Sequence, residues 1–373
     1  MQKVLFISNI SKRINSFSIA SIKASHMTNL KFYMAANWDK TYSEEQKKDE
    51  NKYNVYIKQI NFSRFPFSKQ NIRAYSQLIQ LINKEQINFI HCNTPIGGIL
   101  GRLAGKKCKV KKIIYQVHGF HFYKGAPLKN WLIYYSGERF LARFTDALIT
   151  INHEDYDLAK RKFKLRNNGN IYYVPGVGID LENYNTQIVD NAAKRTELGI
   201  PEDATVLLSV GELNENKNHE TVIRAITGMD VYYIIAGQGD KKHYLEKIVE
   251  KENMCDRVKL LGFRSDVNEL YSMSNIFIFP SFREGLSRCL MEAMANGLPC
   301  AVSNIRGNID LIDEGKGGVL FDPNNVAEIT SSLKTLLSLD MEAITQYNLK
   351  KIKDFSLDNV VDKMSEIYKE EFV

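Results

Sequence analysis

No apolar run in this chain reaches the roughly 18–20 residues that a membrane-crossing helix needs, so no spanning segment is expected. The opening MQKVLFISNISKRINSF has too short an apolar core for a signal peptide and reads instead as a first β-strand. Cysteine is scarce: Cys92, Cys108, Cys255, Cys289 and Cys300 are odd in number, scattered, and never spaced C-x-x-C. That excludes a disulfide framework and a zinc site, and it fits a reducing compartment, the cytoplasm. No low-complexity linker and no repeat of solenoid period is present. No zinc-finger or RNP-type element accompanies the basic residues, so nucleic acid is not an expected partner.

What is present is the composition of a folded globular protein, with 44% hydrophobic and 25% charged residues. A chain of 373 residues is long for one core and suits two domains. Its net charge of +7 conceals an asymmetry. Residues 1–185 carry 29 Lys and Arg against 13 Asp and Glu, a net +16, while the remainder is net −9. Basic clusters stand in KKCKVKK (Lys106–Lys112) and KRKFKLR (Lys160–Arg166). A basic half-protein suggests an anionic partner such as a membrane face or a lipid diphosphate; the plain alternative is a solvated surface.

Short apolar runs recur at Lys3–Asn9, Phe32–Asn37, Asn54–Ile60, Phe89–Asn93, Lys112–Gly119 and Asp146–Asn152. Helix-like segments lie between several of them, including Arg73–Gln86 and Leu128–Phe144. The rhythm restarts at Thr205–Gly211, Val231–Gly237, Lys259–Phe263, Ile276–Ser281 and Pro299–Asn304. Strands alternating with helices imply parallel, doubly wound sheets, and two such sets imply two Rossmann-like domains. The expected division is 1–185 and 186–354, with an amphipathic helix at 355–373, capped by Ser356 or Asp358, returning to the first domain. In such sheets ligands bind beyond the carboxyl ends of the strands.

One strand end is unusually suggestive. IFIFPS is followed by the loop FREGLS and by RCLMEAMANG, a helix closed by Gly297. A helix N-terminus offers free N–H donors and partial positive charge, a ready cradle for phosphate at Gly285, Leu286 and Ser287. Glu284 stands before the helix, within reach of sugar hydroxyls. Glu292 stands inside it, able to take the two hydroxyls of a ribose. A surface helix with solvated glutamates is the plain alternative, weakened by the apolar Leu290, Met291, Ala293 and Met294 around Glu292. Gly237 and Gly239 in AGQGD lack the third glycine of a nicotinamide fingerprint, so that reading is rejected.

E-G-L-S-x3-M-E-A-M-A-x-G-x-P resembles the E-x7-E signature of the retaining nucleotide-sugar glycosyltransferases of family 4, which have the GT-B fold of two facing Rossmann-like domains. LLSVGELNENKNHETVIRAI (Leu207–Ile226), IIAGQGDKK (Ile234–Lys242) and LLGFRSDVNELYSMSNIFIFPSFREG (Leu260–Gly285) follow in the order that resemblance requires. HGFHFYKGAPLKNWLIYYSGERFLARFTDALITIN (His118–Asn152) resembles enzymes of bacterial capsule and exopolysaccharide assembly. The likeness therefore spans nearly the whole chain. It implies that residues 1–185 bind an acceptor and residues 186–354 a donor. It further implies that Glu284 contacts donor-sugar hydroxyls, Gly285–Ser287 the diphosphate and Glu292 the ribose. Lys217, after the strand ending at Gly211, would neutralise the departing diphosphate. Phe263 and Arg264 would frame the base, and His118 would lie near the sugar and phosphate, with His121 a weaker candidate.

Two positions depart from the pattern. Glu212 replaces an arginine that the family places after the S-V-G strand, with Arg283 or Arg288 as candidate compensation. SNISKRINSF stands where the family has a glycine-rich loop. The resulting expectation is transfer of a hexose or N-acetylhexosamine, with retention, from a nucleoside-diphosphate sugar, UDP-linked first, to a lipid-diphosphate-linked glycan. No D-x-D ends a strand of the donor half, so neither metal nor other cofactor is expected. The protein would sit peripherally on the inner face of the cell membrane. Two other readings are a silent sugar-nucleotide-binding partner of a sister transferase, favoured by Glu212, and a sugar-nucleotide epimerase, disfavoured by the basic first half.

Overall fold

The computed structural model describes residues 1–184 and 190–373. The chain forms two compact units: Met1–Gly178 together with Leu357–Val373, and Ile179–Ser356. The boundary expected at 185/186 lies outside the described residues.

In the first unit the strands are β1 (Lys3–Ser11), β2 (Lys31–Trp38), β3 (Tyr56–Gln59), β4 (Phe89–Cys92), β5 (Lys112–Val117), β6 (Ala147–Thr150) and β7 (Asn170–Tyr173). They make one parallel sheet in the order β3-β2-β1-β4-β5-β6-β7. The second unit repeats the plan with β8 (Val206–Val210), β9 (Tyr232–Ala236), β10 (Val258–Gly262), β11 (Ile276–Phe279), β12 (Cys300–Ser303) and β13 (Gly318–Phe321). Their order is β10-β9-β8-β11-β12-β13, again parallel. Both sheets are doubly wound, and the winding reverses between β1 and β4 and between β8 and β11. The sequence pattern had not marked β7 and β13. Both are four-residue edge strands; β7 (NIYY) is exposed or half-buried throughout, and β13 (GVLF) is apolar but too short to stand out.

Each sheet is buried on both faces, which is why its strands read as apolar runs. In β1, Leu5 and Ile7 enter one core while Val4 and Phe6 enter the opposite one. Among the helices, α1 (Ser16–Met27) is capped by Asn15, which accepts from the amide of Phe17. Helix α2 (Pro95–Cys108) opens with proline, whose missing N–H costs nothing there. It carries a stripe of Gly98, Gly101 and Gly105. A Cβ at those positions would come within 2.5 Å of Tyr115, 2.9 Å of Cys92 and 2.7 Å of Ile113, so the stripe lets α2 lie directly on the sheet. The helix expected over 128–144 is broken: Leu128–Asn130 and Ser136–Ala142 flank a π-helical turn at Trp131–Tyr135. In the second unit, α3 (Arg288–Ala295) follows β11.

The last helix, α4 (Leu357–Phe372), packs on the first unit. It starts at Leu357, which leaves Ser356 rather than Asp358 at the capping position. Val360, Val361, Met364, Ile367, Tyr368 and Phe372 recur at helical spacing and join the core on one face of the first sheet. The Tyr368 hydroxyl bonds Nδ1 of His91 in β4 at 2.7 Å, and Lys112 reaches Glu371 at 2.9 Å.

His91 is wholly buried. Desolvation, with a smaller contribution from nearby His118, lowers its pKa from 6.5 to about 3. The folded state therefore holds fewer protons than the unfolded one below pH 6.5, and stability must fall as pH drops from there toward 3. Between about pH 7.5 and about pH 5.5 this histidine alone should remove about 1.4 kcal/mol from the unfolding free energy. Urea titrations at the two pH values should show a smaller loss for His91→Gln than for the wild type; equal losses would assign the effect to other groups.

Candidate active site

Because β8 and β11 are neighbours where the winding reverses, the loops after them meet although they are far apart in sequence. Asn214 caps the turn after β8 by accepting from the amide of Lys217 at 3.1 Å. The Asn216 carbonyl accepts from the amide of Phe282 at 2.8 Å, and its side chain donates to the carbonyl of Arg283 at 3.0 Å. Stitched this way, the loops bring Lys217 Nζ to 2.7 Å from Glu284 Oε1 and 4.4 Å from the centre of the Phe279 ring. Only 16% and 15% of the two side chains are exposed. Burial pulls the Lys217 pKa down, but Cys289 and Glu284 more than offset it, so its pKa ends above the ordinary value and the ammonium is charged at neutral pH. Gly211 lies beside this pair, with the Lys217 stem 3.3 Å from where a Cβ would stand.

Beyond Glu284 the chain turns into α3. Ser287, buried, caps it by accepting from the amide of Leu290 at 3.4 Å, and its hydroxyl lies 3.1 Å from Cys289 Sγ. The amides of Gly285, Leu286 and Ser287 precede the first turn, where backbone donors have no intrahelical acceptor. This turn is held from behind by a residue the sequence pattern did not single out. Arg306, 6% exposed, donates from Nε to the Glu284 carbonyl at 3.2 Å. Gly307 follows at φ +83°, and a Cβ there would stand 2.4 Å from the Gly285 carbonyl oxygen. The legible signal was N-I-R-G at the carboxyl end of β12, next to β11 in the sheet.

Glu292, inside α3, is not a solvated surface acid. It accepts from the hydroxyls of Tyr184 at 3.1 Å and Tyr271 at 3.2 Å, and pairs with Arg288 Nε at 2.9 Å. Desolvation, reinforced by that carboxylate, lifts the Tyr184 phenol to about 12. Arg288 is thus committed to Glu292. Arg283 presents its side chain to solvent with no acid partner among the described residues. Glu212 accepts from Asn214 Nδ2 at 3.0 Å, so the ion pair of Lys217 is with Glu284 and not with Glu212. Phe263 and Arg264 stand after β10, two strands from β8. Phe263 is exposed, and the Arg264 guanidinium is held by Asp266 and Glu197.

His118 belongs to the first unit, one residue past β5. Its Nε2 is 2.7 Å from Asn93 Oδ1, beyond the neighbouring strand β4, and the Phe17 ring meets it edge-on at 5.0 Å. Burial lowers its pKa to about 4, so the imidazole is neutral at physiological pH. His121 packs its ring on Tyr134 at 4.8 Å. Among the described residues no three His, Cys, Asp or Glu side chains stand together as metal ligands, and no helix is long and apolar enough to cross a membrane.

Residues 190–352 match the family model of glycosyl transferases group 1, and residues 34–152 that of glycosyl transferase 4-like proteins. EpsD of Bacillus subtilis (strain 168), which bears the name of a glycosyltransferase, is 31% identical over 379 residues, spanning 98% of this chain and 96% of that protein. The UDP-Gal:alpha-D-GlcNAc-diphosphoundecaprenol alpha-1,3-galactosyltransferase of Escherichia coli is 28% identical over 309 residues, covering 80% of this chain and 79% of its own. The crystal structure of Anabaena HepE in complex with UDP superposes with a TM-score of 0.80 at 18% identity, over 99% of this chain and 100% of that one. The chain accordingly belongs to the group 1, family 4-like glycosyltransferases and has their GT-B fold of two Rossmann-like domains.

Proposed function

We propose that the protein transfers a hexose or N-acetylhexosamine from a UDP-sugar to a lipid-diphosphate-linked glycan during assembly of an extracellular polysaccharide, with retention at the anomeric carbon. The observation that carries the donor side is the Lys217–Glu284 pair beside the amino end of α3. In the free protein each charge satisfies the other. An arriving diphosphate competes for Lys217 and leaves Glu284 to accept from hydroxyls of the sugar. The amides of Gly285–Ser287 take phosphate oxygens, Glu292 takes the ribose, and Phe263 and Arg264 frame the base. As the glycosidic bond breaks, negative charge grows on the diphosphate, and Lys217 with the helix end meets it without further reorganisation. That set of fixed positive groups is the reason a divalent cation is not required.

The first unit would hold the acceptor. Among the described residues no side chain of the donor site is arranged as a nucleophile with a neighbouring base, which favours attack by the acceptor hydroxyl on the face the diphosphate leaves. His118, neutral and anchored by Asn93, would position the sugar rather than carry charge. The lipid-linked acceptor is supported by the names of two relatives, the E. coli galactosyltransferase and the 4-alpha-N-acetylgalactosaminyltransferase of Campylobacter jejuni, both of which specify diphospho-undecaprenol substrates. The excess of basic residues in 1–185 suits the anionic inner face of a membrane. The second reading, a silent nucleotide-binding partner, rests on Glu212, which is tied to Asn214 where the family has an arginine.

Four measurements test this function. A thermal-shift screen of UDP-, GDP-, ADP- and dTDP-sugars should raise the midpoint for UDP-sugars, and a preference for another base would overturn that assignment. Glu284→Ala and Lys217→Met should each lower kcat/KM by about 10²–10³, whereas a silent partner would show no turnover to lose. Transfer should survive excess EDTA, and NMR of the product should show the donor's anomeric configuration; activity restored only by Mg²⁺ or Mn²⁺, or an inverted product, would refute the mechanism.

A further inference from the structure

A cavity of about 780 Å³ opens in the first unit beyond the carboxyl ends of β1, β4 and β5. Its inner wall is hydrocarbon, made of buried Phe6, Met34, Ile96, Val117, Phe120 and Phe122. No lysine or arginine lines it. Its one carboxylate, Glu138, is neutralised by buried Arg102 at 2.7 Å and receives the Tyr115 hydroxyl at 3.3 Å. A glycan laid against this wall would lose water from its hydroxyls without regaining partners there, whereas an apolar wall of this kind accepts a hydrocarbon.

The mouth continues the theme outward. Phe67 is fully exposed and Ile133, in the π-helical turn, is 66% exposed; both line the cavity, as do Phe17 and Tyr134. Farther out, Phe65, Leu128, Leu132 and Phe140 are exposed as well. Along the chain Arg64, Lys69, Lys124, Lys129 and Arg139 are interleaved with them, all exposed, and none of their side-chain cations pairs with a carboxylate among the described residues. Exposed apolar side chains among unpaired cations match a bilayer interface with anionic headgroups.

The polar end of the cavity is unsatisfied. Asn93 Nδ2, Thr94 Oγ1 and His118 Nδ1 are buried without hydrogen-bond partners, and all three residues line it. Thr94 is held at φ +64° and ψ 154°, a costly backbone for a β-branched residue, at the start of α2. Strain and orphaned polar groups at the end of an apolar cavity mark a place for the polar end of an amphiphile.

We propose that this cavity binds the first isoprene units of the acceptor's polyprenyl chain, drawn in from the bilayer past Phe67 and Ile133, with the head of the lipid meeting Asn93, Thr94 and His118. The proposal rests on the lipid-linked reading above and adds that the protein grips the lipid and not only the sugars. Trp131 reports on the site, because its ring lies 5.5 Å from Phe122 in the cavity wall. Titration of the full-length protein with farnesyl diphosphate should change Trp131 fluorescence saturably, and inorganic pyrophosphate should not. Ile99→Phe, which fills the cavity, and Ile133→Asp, at the exposed mouth where folding is not at stake, should each weaken farnesyl diphosphate about tenfold. Equal responses to pyrophosphate and farnesyl diphosphate, or unchanged binding by Ile133→Asp, would overturn the proposal. The functional reading fails separately: farnesyl binding with no transfer to any lipid-linked acceptor would sink that reading and leave the cavity site standing.

Discussion

The crevice of the second unit depends on a partly buried ion pair, Lys217 with Glu284, whose members lie 67 residues apart in the chain. Lys217 and Glu284 meet because β8 and β11 are adjacent where the sheet reverses its winding, so their carboxyl-terminal loops share one crevice. An ion pair in such a place is weak as a stabilising device. Removing one partner of a fully buried pair costs about 3–5 kcal/mol, but making the pair gains little over apolar packing. Its persistence is better explained by ligand binding, since a lysine held charged and desolvated is prepared for a diphosphate. In the proposed reaction Glu284, freed by the same event, accepts from sugar hydroxyls, so that one rearrangement serves both ends of the donor.

The supporting residues act through backbone. Arg306 holds the Glu284 carbonyl, and Gly307, having no Cβ, lets the Gly285 carbonyl lie close against it. Tyr184, Tyr271 and Arg288 hold Glu292, so a carboxylate in an otherwise apolar helix has three donors and no need of water. The departure at Glu212 is absorbed locally through Asn214, and the buried guanidinium of Arg306, after β12, is spent on the Glu284 carbonyl. Arg288, one of the two compensating candidates, is occupied.

The first unit uses the same switch-point geometry for a different chemistry. Its crevice, after β4 and β5, holds a neutral histidine and unpartnered amide and hydroxyl groups above a hydrocarbon wall, without a cation. That is a poor site for a nucleotide and a suitable one for an amphiphile. The charge asymmetry along the chain has the same division: apart from buried Arg102, which pairs with Glu138, cations such as Arg64, Lys69, Lys124, Lys129 and Arg139 of the first unit are exposed.

Much of this was legible in the chain itself. Alternating burial in strands such as β1 and β8 requires apolar residues on both faces, so eleven of the strands declared themselves as apolar runs; β7 and β13, at sheet edges, did not. The pairing of a carboxylate, a glycine and a helix start at Glu284–Arg288 was visible because those groups are consecutive. Tyr184 and Tyr271 were not, because each reaches the site across the fold from an element with its own local reasons for its sequence, and Arg306 was marked only by its N-I-R-G setting. That Lys217 pairs with Glu284 likewise emerged only once the loops were placed. Local sequence determines what is periodic or contiguous, namely strands, helices, caps and turns. Tertiary structure alone decides which distant side chains share a desolvated space, because burial and charge pairing depend on distances the chain's order does not contain.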